Sequence, residues 1–453
     1  MKKYQPRIWE KDFLNYKNYD KLYKKRKKRG SNKMGRVRNG RRNHNKNMIT
    51  SYKGPFIFLF CVILICVCIL VGRGVYTQIA LKEEQRERNQ RLNEIFVADA
   101  SKENEEKEDE PQVKKDTYLN ITALGDILCE EPLYNDAYNA ETKEYDFMHF
   151  FKNVSKYTKQ ADLAIGTLET NFIDENYSGY KKYNSPIELA KALQKIGVDV
   201  LSLATNHSFD YGQEGLVATK DNLEKLEVET VGTNRNKEET RYVLKEVEGF
   251  KIAILSYTYG LNNQNEYDEQ SGLVNITNKD RILEDITKAK EEGAEYICTM
   301  MHWGDLTSNQ ANEKQKELTD FLVDNGVDLI LGNHPAVLQP MEVRKNKEGK
   351  NVFIVYSQGN FISASEYKNS SIEMILDIRL RKDGETGEVL LNKVTYVPVF
   401  LLDNGRKVAQ RFELFDMKEA VQKYEAGDKI VSEEVYQNLI QALDEIEVLI
   451  GNR

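Results

Sequence analysis

From residue 118 to residue 356 the chain repeats one pattern. A short run rich in Ile, Leu and Val gives way to a polar turn, and then to a segment with apolar positions three and four apart. The runs predict strands at Tyr118–Leu124, Leu163–Leu168, Val198–Ala204, Lys251–Tyr257, Tyr296–Met301, Val327–Leu331 and Val352–Tyr356. The amphipathic segments predict helices at Pro186–Ile196, Gln213–Leu226, Arg281–Glu292 and Glu313–Asp324. Strands that are apolar on both faces, alternating with helices, indicate a layered α/β domain. Residues 372–400 read instead as antiparallel strands turning at Lys382–Glu388, and residues 416–450 as one or two terminal helices.

A different pattern stands upstream. No charge occurs between Lys53 and Arg73, and those 19 residues include the apolar run Pro55–Gly72. As a helix they span roughly 28 Å, about the hydrocarbon thickness of a bilayer. A cleavable signal peptide is the competing reading, but its apolar core is shorter and its basic region does not run to some fifty residues. Charge changes the picture here. Residues 1–54 hold 19 Lys+Arg against 3 Asp+Glu, a net +16, while the remainder holds 46 against 69, a net −23. The basic flank predicts a cytoplasmic N-terminus and an outside location for everything after the span. The basic tail suits anionic membrane lipid better than nucleic acid.

The expected organisation is therefore a basic cytoplasmic tail (1–53), a transmembrane helix (54–73), a charged helix with an acidic linker (74–116), the α/β domain (117–415) and a C-terminal helical segment (416–453). Three of the five cysteines lie in the apolar run and only Cys129 and Cys298 come after it, so no disulfide framework is expected. The domain depends on its core.

The candidate chemistry lies at the strand ends. In open α/β sheets, ligands bind where loops leave the carboxyl ends of the strands. Here those ends carry Gly125-Asp126, the Glu169 of "TLET", Asn206-His207, the "HWGD" of His302–Asp305, Asn333-His334-Pro335, and "YSQGNF" from Tyr356 to Phe361. One Asp, one Glu, one or two Asn and three of the chain's five His thus converge. Hard oxygen donors and imidazoles without thiolates suit Mn, Zn, Fe or Mg, as one or two ions. Such a centre polarises a phosphoryl oxygen and activates water. Asn206 is a neutral oxygen ligand in this scheme, and His207 donates a proton to a leaving group. Metal candidates are Asp126, Glu169, Asn206, His302 and His334. "DYG" reads first as a turn before a helix, and Asp210 and Tyr211, with Tyr356 and Asn360, are the candidates for substrate contact.

The segments "ALGDIL", "ADLAIGTLET", "SLATNHSFDYGQEGL", "MMHWGD", "GVDLILGNHPAVLQP" and "VYSQGNF" resemble, in order and spacing, the CapA family of bacterial capsule-synthesis proteins. The resemblance covers roughly residues 118–365. It implies a metallophosphatase-like layered sandwich, two central sheets flanked by helices, here preceded by one transmembrane helix. It also implies a metal site drawn from Asp126, Glu169, Asn206, His207, His302 and His334. The chain departs from the family pattern at Thr167 and Thr205, where Asn is frequent, at Asp305, where Glu is frequent, and at Ala336, where a second His is common. Without that imidazole a one-metal and a two-metal site both stay open.

These features leave two function classes. In the first, the domain acts outside the membrane on an anionic capsule polymer, poly-gamma-glutamate by the resemblance, through metal-dependent hydrolysis or transfer at a phosphoester or amide bond. In the second, the same pocket serves a non-catalytic subunit that binds polymer or scaffolds membrane synthase subunits. A phosphate or nucleotide receptor is the weaker third class, since no Gly-rich phosphate loop occurs.

Overall fold

The structure is a computed structural model, and the residues it describes are 79, 82–83, 86–92, 94–95, 115–174, 176–365, 372–405 and 410–450. The basic tail, the apolar run Pro55–Gly72 and most of the acidic linker lie outside them. Among the described residues no helix is long and apolar enough to cross a membrane. Residues from Gln78 onward form one compact unit.

The strands in chain order are β1 (Thr117–Ile127), β2 (Tyr138–Asn139), β3 (Glu144–Tyr145), β4 (Leu163–Leu168), β5 (Val200–Ser202), β6 (Glu229–Val231), β7 (Tyr242–Val247), β8 (Phe250–Thr258), β9 (Tyr296–His302), β10 (Leu329–Asn333), β11 (Met341–Lys345), β12 (Asn351–Val355), β13 (Asn360–Ile362), β14 (Ile372–Lys382), β15 (Val389–Asp403) and β16 (Phe412–Asp416). One sheet runs β16-β15-β14-β1-β4-β5-β6, with β13 also paired to β1; the second runs β11-β12-β10-β9-β8-β7. Within them β1, β4, β5 and β6 are parallel, as are β8, β9, β10 and β12. The expected layered sandwich of two central sheets is the one that forms.

Pleat alternation explains why both faces of these strands are apolar. On β8, Phe250, Ile252 and Ile254 enter the core between the sheets, while Ala253, Leu255 and Tyr257 pack outward. On β9, Cys298 and Met300 point inward and Ile297 and Met301 outward. Ile121, Ile165 and Val200 line the inner face from the other sheet. Helices cover the outer faces: Leu189, Leu193 and Leu223 on the first sheet, Ile282, Ile286 and Leu322 on the second. Each fully buried aliphatic side chain contributes about 1.5–3 kcal/mol, so this double-faced burial holds the strand ends in place without disulfides. Cys129 and Cys298 are free and buried.

The inner core extends beyond the sheets. Leu92 and Ile95, on the charged helical segment upstream, are buried in it, and Arg91 Nε donates to the Val343 carbonyl at 3.2 Å. Leu439, Ala442 and Ile446 of the C-terminal helix Glu433–Leu449 join the same cluster.

Two features aim residues at the strand ends. The pairing of β1 with β4 shifts register between Ala123 and Asp126, and β13 becomes the partner of β1 at Asp126. A bulge adds one residue to the alternation and re-aims the side chains beyond it. Leu124 and Ile127 therefore both pack outward while Asp126 turns toward the second sheet. The chain also crosses from β12 in one sheet to β13 in the other through Ser357-Gln358-Gly359, and the Gly359 carbonyl accepts from Asp126 N at 3.0 Å. A Cβ on Gly125 would stand 2.2 Å from that same carbonyl oxygen, so only glycine fits there.

Candidate metal centre

Five of the parallel strands deliver the cluster. Asp126 comes from the end of β1, Glu169 directly follows β4, and Asn206 and His207 follow β5. From the second sheet, His302 ends β9, and Asn333 and His334 close β10. All are buried. The turn after β5 has a local cause. Thr205 Oγ1 accepts from His207 N at 3.1 Å and Ser208 Oγ from Thr205 N at 2.8 Å, a hydroxyl-capped turn that stands Asn206 and His207 at the tip.

His302 sits at the centre. Its Nε2 lies 2.7 Å from Asn206 Oδ1 and 3.6 Å from Glu169 Oε1, and its Nδ1 lies 3.6 Å from Asp126 Oδ1. The His302 and His334 rings are 4.8 Å apart between centroids. One donor atom each from Glu169, His302 and His334 falls within 4.8 Å of the others. His334 is held at φ +90°, a conformation that side chains other than glycine rarely adopt, and its N–H donates to Asp126 Oδ2 at 2.7 Å. Backbone strain of this kind concentrates at functional sites.

The electrostatics call for a cation. Burial, aided by the Glu169 charge, pushes Asp126 up to about 6 against the pull of His302. Burial opposes ionisation of Glu169 as well, but His302, with His207 and His334, holds it below the usual carboxylate range. Burial would lower His302; the charges of Glu169 and Asp126, each 3.6 Å away, instead raise it to about 9. His334 falls to about 3, first through burial and then through repulsion by His302. The space around His302, between two buried carboxylates, therefore favours positive charge, which a divalent ion would supply in place of a proton. Four polar atoms here are buried without a hydrogen-bond partner: Asp126 Oδ1, His302 Nδ1, Asn333 Oδ1 and His334 Nδ1. Each such orphan costs roughly 1–3 kcal/mol. Together with Glu169 they form an oxygen-and-imidazole donor set that fits a divalent ion of the Mn, Fe, Zn or Mg kind.

Of the expected substrate contacts, Asp210 instead supports His207: its Oδ2 lies 2.7 Å from His207 Nδ1 and also accepts from Tyr183 N at 3.1 Å. His207 Nε2 faces Glu169 Oε1 at 3.9 Å. Asn360 pairs with Asp126 in the β1–β13 register, beside the cluster. Tyr211 does not join it, its hydroxyl being paired with Ser178 Oγ at 2.7 Å and the Lys182 carbonyl at 3.2 Å. Tyr356 is a correction. Val355 packs inward, so the pleat sends Tyr356 outward, where its hydroxyl donates to Glu342 at 2.6 Å and accepts from Arg344 at 3.0 Å.

Two residues at the site, Asn262 and Tyr259, were not among the candidates named from the strand ends, and Asn333 was named there without a role of its own. Asn262 accepts from Asn206 Nδ2 at 3.1 Å and sets its own amide 3.1 Å from His207 Nε2. Tyr259, half exposed, lies over His334 with centroids 4.9 Å apart. Burial, and then the Glu169 charge, raise its phenol. Both belong to "YGLNNQN", the polar run at the end of β8, a parallel strand whose end carries no His, Asp or Glu to draw the eye. Asn333 stands in the Asn-His-Pro motif, where only His334 was expected to act.

The family described as "Bacterial capsule synthesis protein PGA_cap" matches residues 120–365. The chain is 30% identical over 277 residues to the capsule biosynthesis protein CapA of Bacillus anthracis, covering 59% of this chain and 65% of that protein. It is 25% identical over 307 residues to the PGA biosynthesis protein CapA of Bacillus subtilis (strain 168), covering 65% of this chain and 77% of that one. The matched stretch therefore spans just under two thirds of the Bacillus anthracis relative. Among solved structures, the calcineurin-like phosphoesterase YfkN from Bacillus subtilis overlaps 63% of this chain and 91% of its own at 16% identity and a TM-score of 0.39. That likeness is loose, and the site stands on its own geometry. Matched over more than half of its length, the chain belongs to the bacterial capsule synthesis protein PGA_cap family.

Proposed function

We propose that this chain is a membrane-anchored, extracellular capsule-synthesis protein whose metallophosphatase-like centre cleaves or transfers a phosphoester or amide bond during synthesis, export or anchoring of an anionic polymer. The observation that carries the reading is the convergence, from both sheets, of Glu169 with the four unpartnered atoms of Asp126, His302, Asn333 and His334. The polymer is poly-gamma-glutamate, a reading supported by the family and by the name of the Bacillus subtilis relative. The anchor reading rests on the uncharged run between Lys53 and Arg73 and the charge step across it. Membrane lipid and synthase subunits are its expected partners.

Asp126, Glu169, His302 and His334 would hold the divalent cation, with Asn206 beside them. When bound, the ion supplies Lewis acidity toward a phosphoryl or acyl oxygen. The chain's own residues do the rest. Asp210 fixes the Nδ1 proton of His207, which leaves Nε2 to exchange a proton with a leaving group. The Asn262 amide lies against the ring, 3.3 Å from Nδ1 and 3.1 Å from Nε2, and steadies its orientation. Tyr259 covers His334 at the mouth.

The non-catalytic scaffold reading is favoured by one observation, the buried Ala336 at the position where the family commonly has a second His. Capsule output from cells carrying His207→Ala at normal protein level separates the two. Catalysis predicts a loss of roughly 10²–10⁴-fold in turnover and a collapse of capsule, with metal retained. Capsule at the parent level would leave the scaffold. Protease applied to intact cells tests the topology: it should remove the large domain and spare an N-terminal tag.

A further inference from the structure

Two asparagines stand at the cluster, and their oxygens are in different states. Asn206 Oδ1 is engaged by His302 Nε2 at 2.7 Å, and its amide nitrogen donates to Asn262 at 3.1 Å. Its hydrogen bonds are made within the protein. Asn333 is 1% exposed, its amide nitrogen donates to Thr167 Oγ1 across the gap between the sheets, and its Oδ1 has no partner. The Thr167 hydroxyl holds one end of the amide, and the other end, the carbonyl oxygen, is left without a partner.

The surroundings supply the reason. Asn333 is the register partner of His302 on the neighbouring strand and the residue before His334. On the other sheet, Thr167 stands two residues before Glu169. Asn333 therefore stands beside His302 and next to His334, and its amide is tied to the strand that leads into Glu169. Three positions further on, Ala336 offers no donor atom; its backbone N–H is spent on the Leu306 carbonyl at 2.8 Å. A buried carbonyl left without a partner costs roughly 1–3 kcal/mol, and a cation removes that cost.

We infer that Asn333 Oδ1 is a further ligand of the divalent ion, a neutral oxygen donor that shifts the site toward oxygen-preferring ions such as Mn²⁺. This rests on the metal reading above. Thr167 is its positioning residue.

The test is Mn²⁺ titration calorimetry on the full-length, detergent-purified protein stripped with chelator, alongside Asn333→Ala, Asn333→Asp and Thr167→Val. Asn333→Ala should weaken Mn²⁺ by about tenfold or more, within the range seen when a metal site loses a supporting group. Asn333→Asp should bind at least as tightly as the parent, because it restores an oxygen and adds charge. Thr167→Val should weaken Mn²⁺ by less than Asn333→Ala, since the oxygen remains and loses only its tether. Equal weakening by Asn333→Ala and Thr167→Val, without rescue by Asn333→Asp, would make Asn333 only a bridge between the sheets. Unchanged Mn²⁺ affinity in Asn333→Ala overturns the assignment while the metal reading survives. A parent protein that binds no Mn²⁺, Zn²⁺ or Fe²⁺ overturns both.

Discussion

His302 Nε2 lies 2.7 Å from Asn206 Oδ1, although the two residues are 96 positions apart and belong to different sheets, one at the end of β9 and the other in the turn after β5. That contact, with Thr167–Asn333 and the Ser202–Ser256 hydroxyl pair at 2.6 Å, ties the carboxyl ends of the two sheets together. The candidate centre lies on this seam, so its geometry depends on how the sheets meet.

Gly125→Ala tests the seam. The added Cβ would meet the Gly359 carbonyl oxygen at 2.2 Å and its carbon at 3.0 Å, and backbone on both sides cannot swing away. Overpacking of this kind costs about 1–3 kcal/mol. Denaturant unfolding should show that loss. Bound metal should fall with it, because Asp126 is the next residue.

Leu92→Ala tests the upstream helix. Leu92 is fully buried in the core cluster shared by both sheets. Its truncation should destabilise the domain by about 2–5 kcal/mol. An unchanged unfolding midpoint would mean that this segment does not dock on the domain.

How far the sequence reached depends on the physical basis of each feature. β4 runs from Leu163 to Leu168 and one helix from Glu313 to Asp324, each over the span its pattern predicts. In the first, both faces are buried; in the second, the Asn312–Gln315 capping box fixes the start. The strands that went unread are short or exposed: β6 and β13 have three residues each, and β7 is only half buried. The strand-end rule named Asp126, Glu169, Asn206, His302 and His334, which the structure brings together. It could not place Tyr356, because a shift of one residue turns a side chain to the opposite face. Nor could it reveal the β1 bulge, which exists only once β13 pairs with β1 at Asp126. Asn262 reaches His207 through a loop, which carries no periodicity to read.

Glu373 gives a pH test away from the centre. It is fully buried with both carboxylate oxygens unpartnered, and burial, then the Glu130 charge, hold it well above the usual range. The folded form therefore keeps the proton that the unfolded chain releases above about pH 4.3. Its contribution to stability is greatest below that pH and falls as pH rises toward the folded value. In thermal melts Glu373→Gln should gain on the parent between pH 5 and pH 8. A constant offset across that range would show that Glu373 does not titrate as described.

The most direct measurement is the metal content of the purified full-length protein, set beside His302→Ala and His334→Ala. The geometry predicts at least one equivalent of a divalent ion per parent chain, removed by chelator with a fall in melting temperature and regained with Mn²⁺. Both variants should lose it, since each removes an imidazole from the group whose donor atoms lie within 4.8 Å. A parent protein that purifies without metal, gains none on titration and melts identically with and without Mn²⁺ would contradict the metal centre itself.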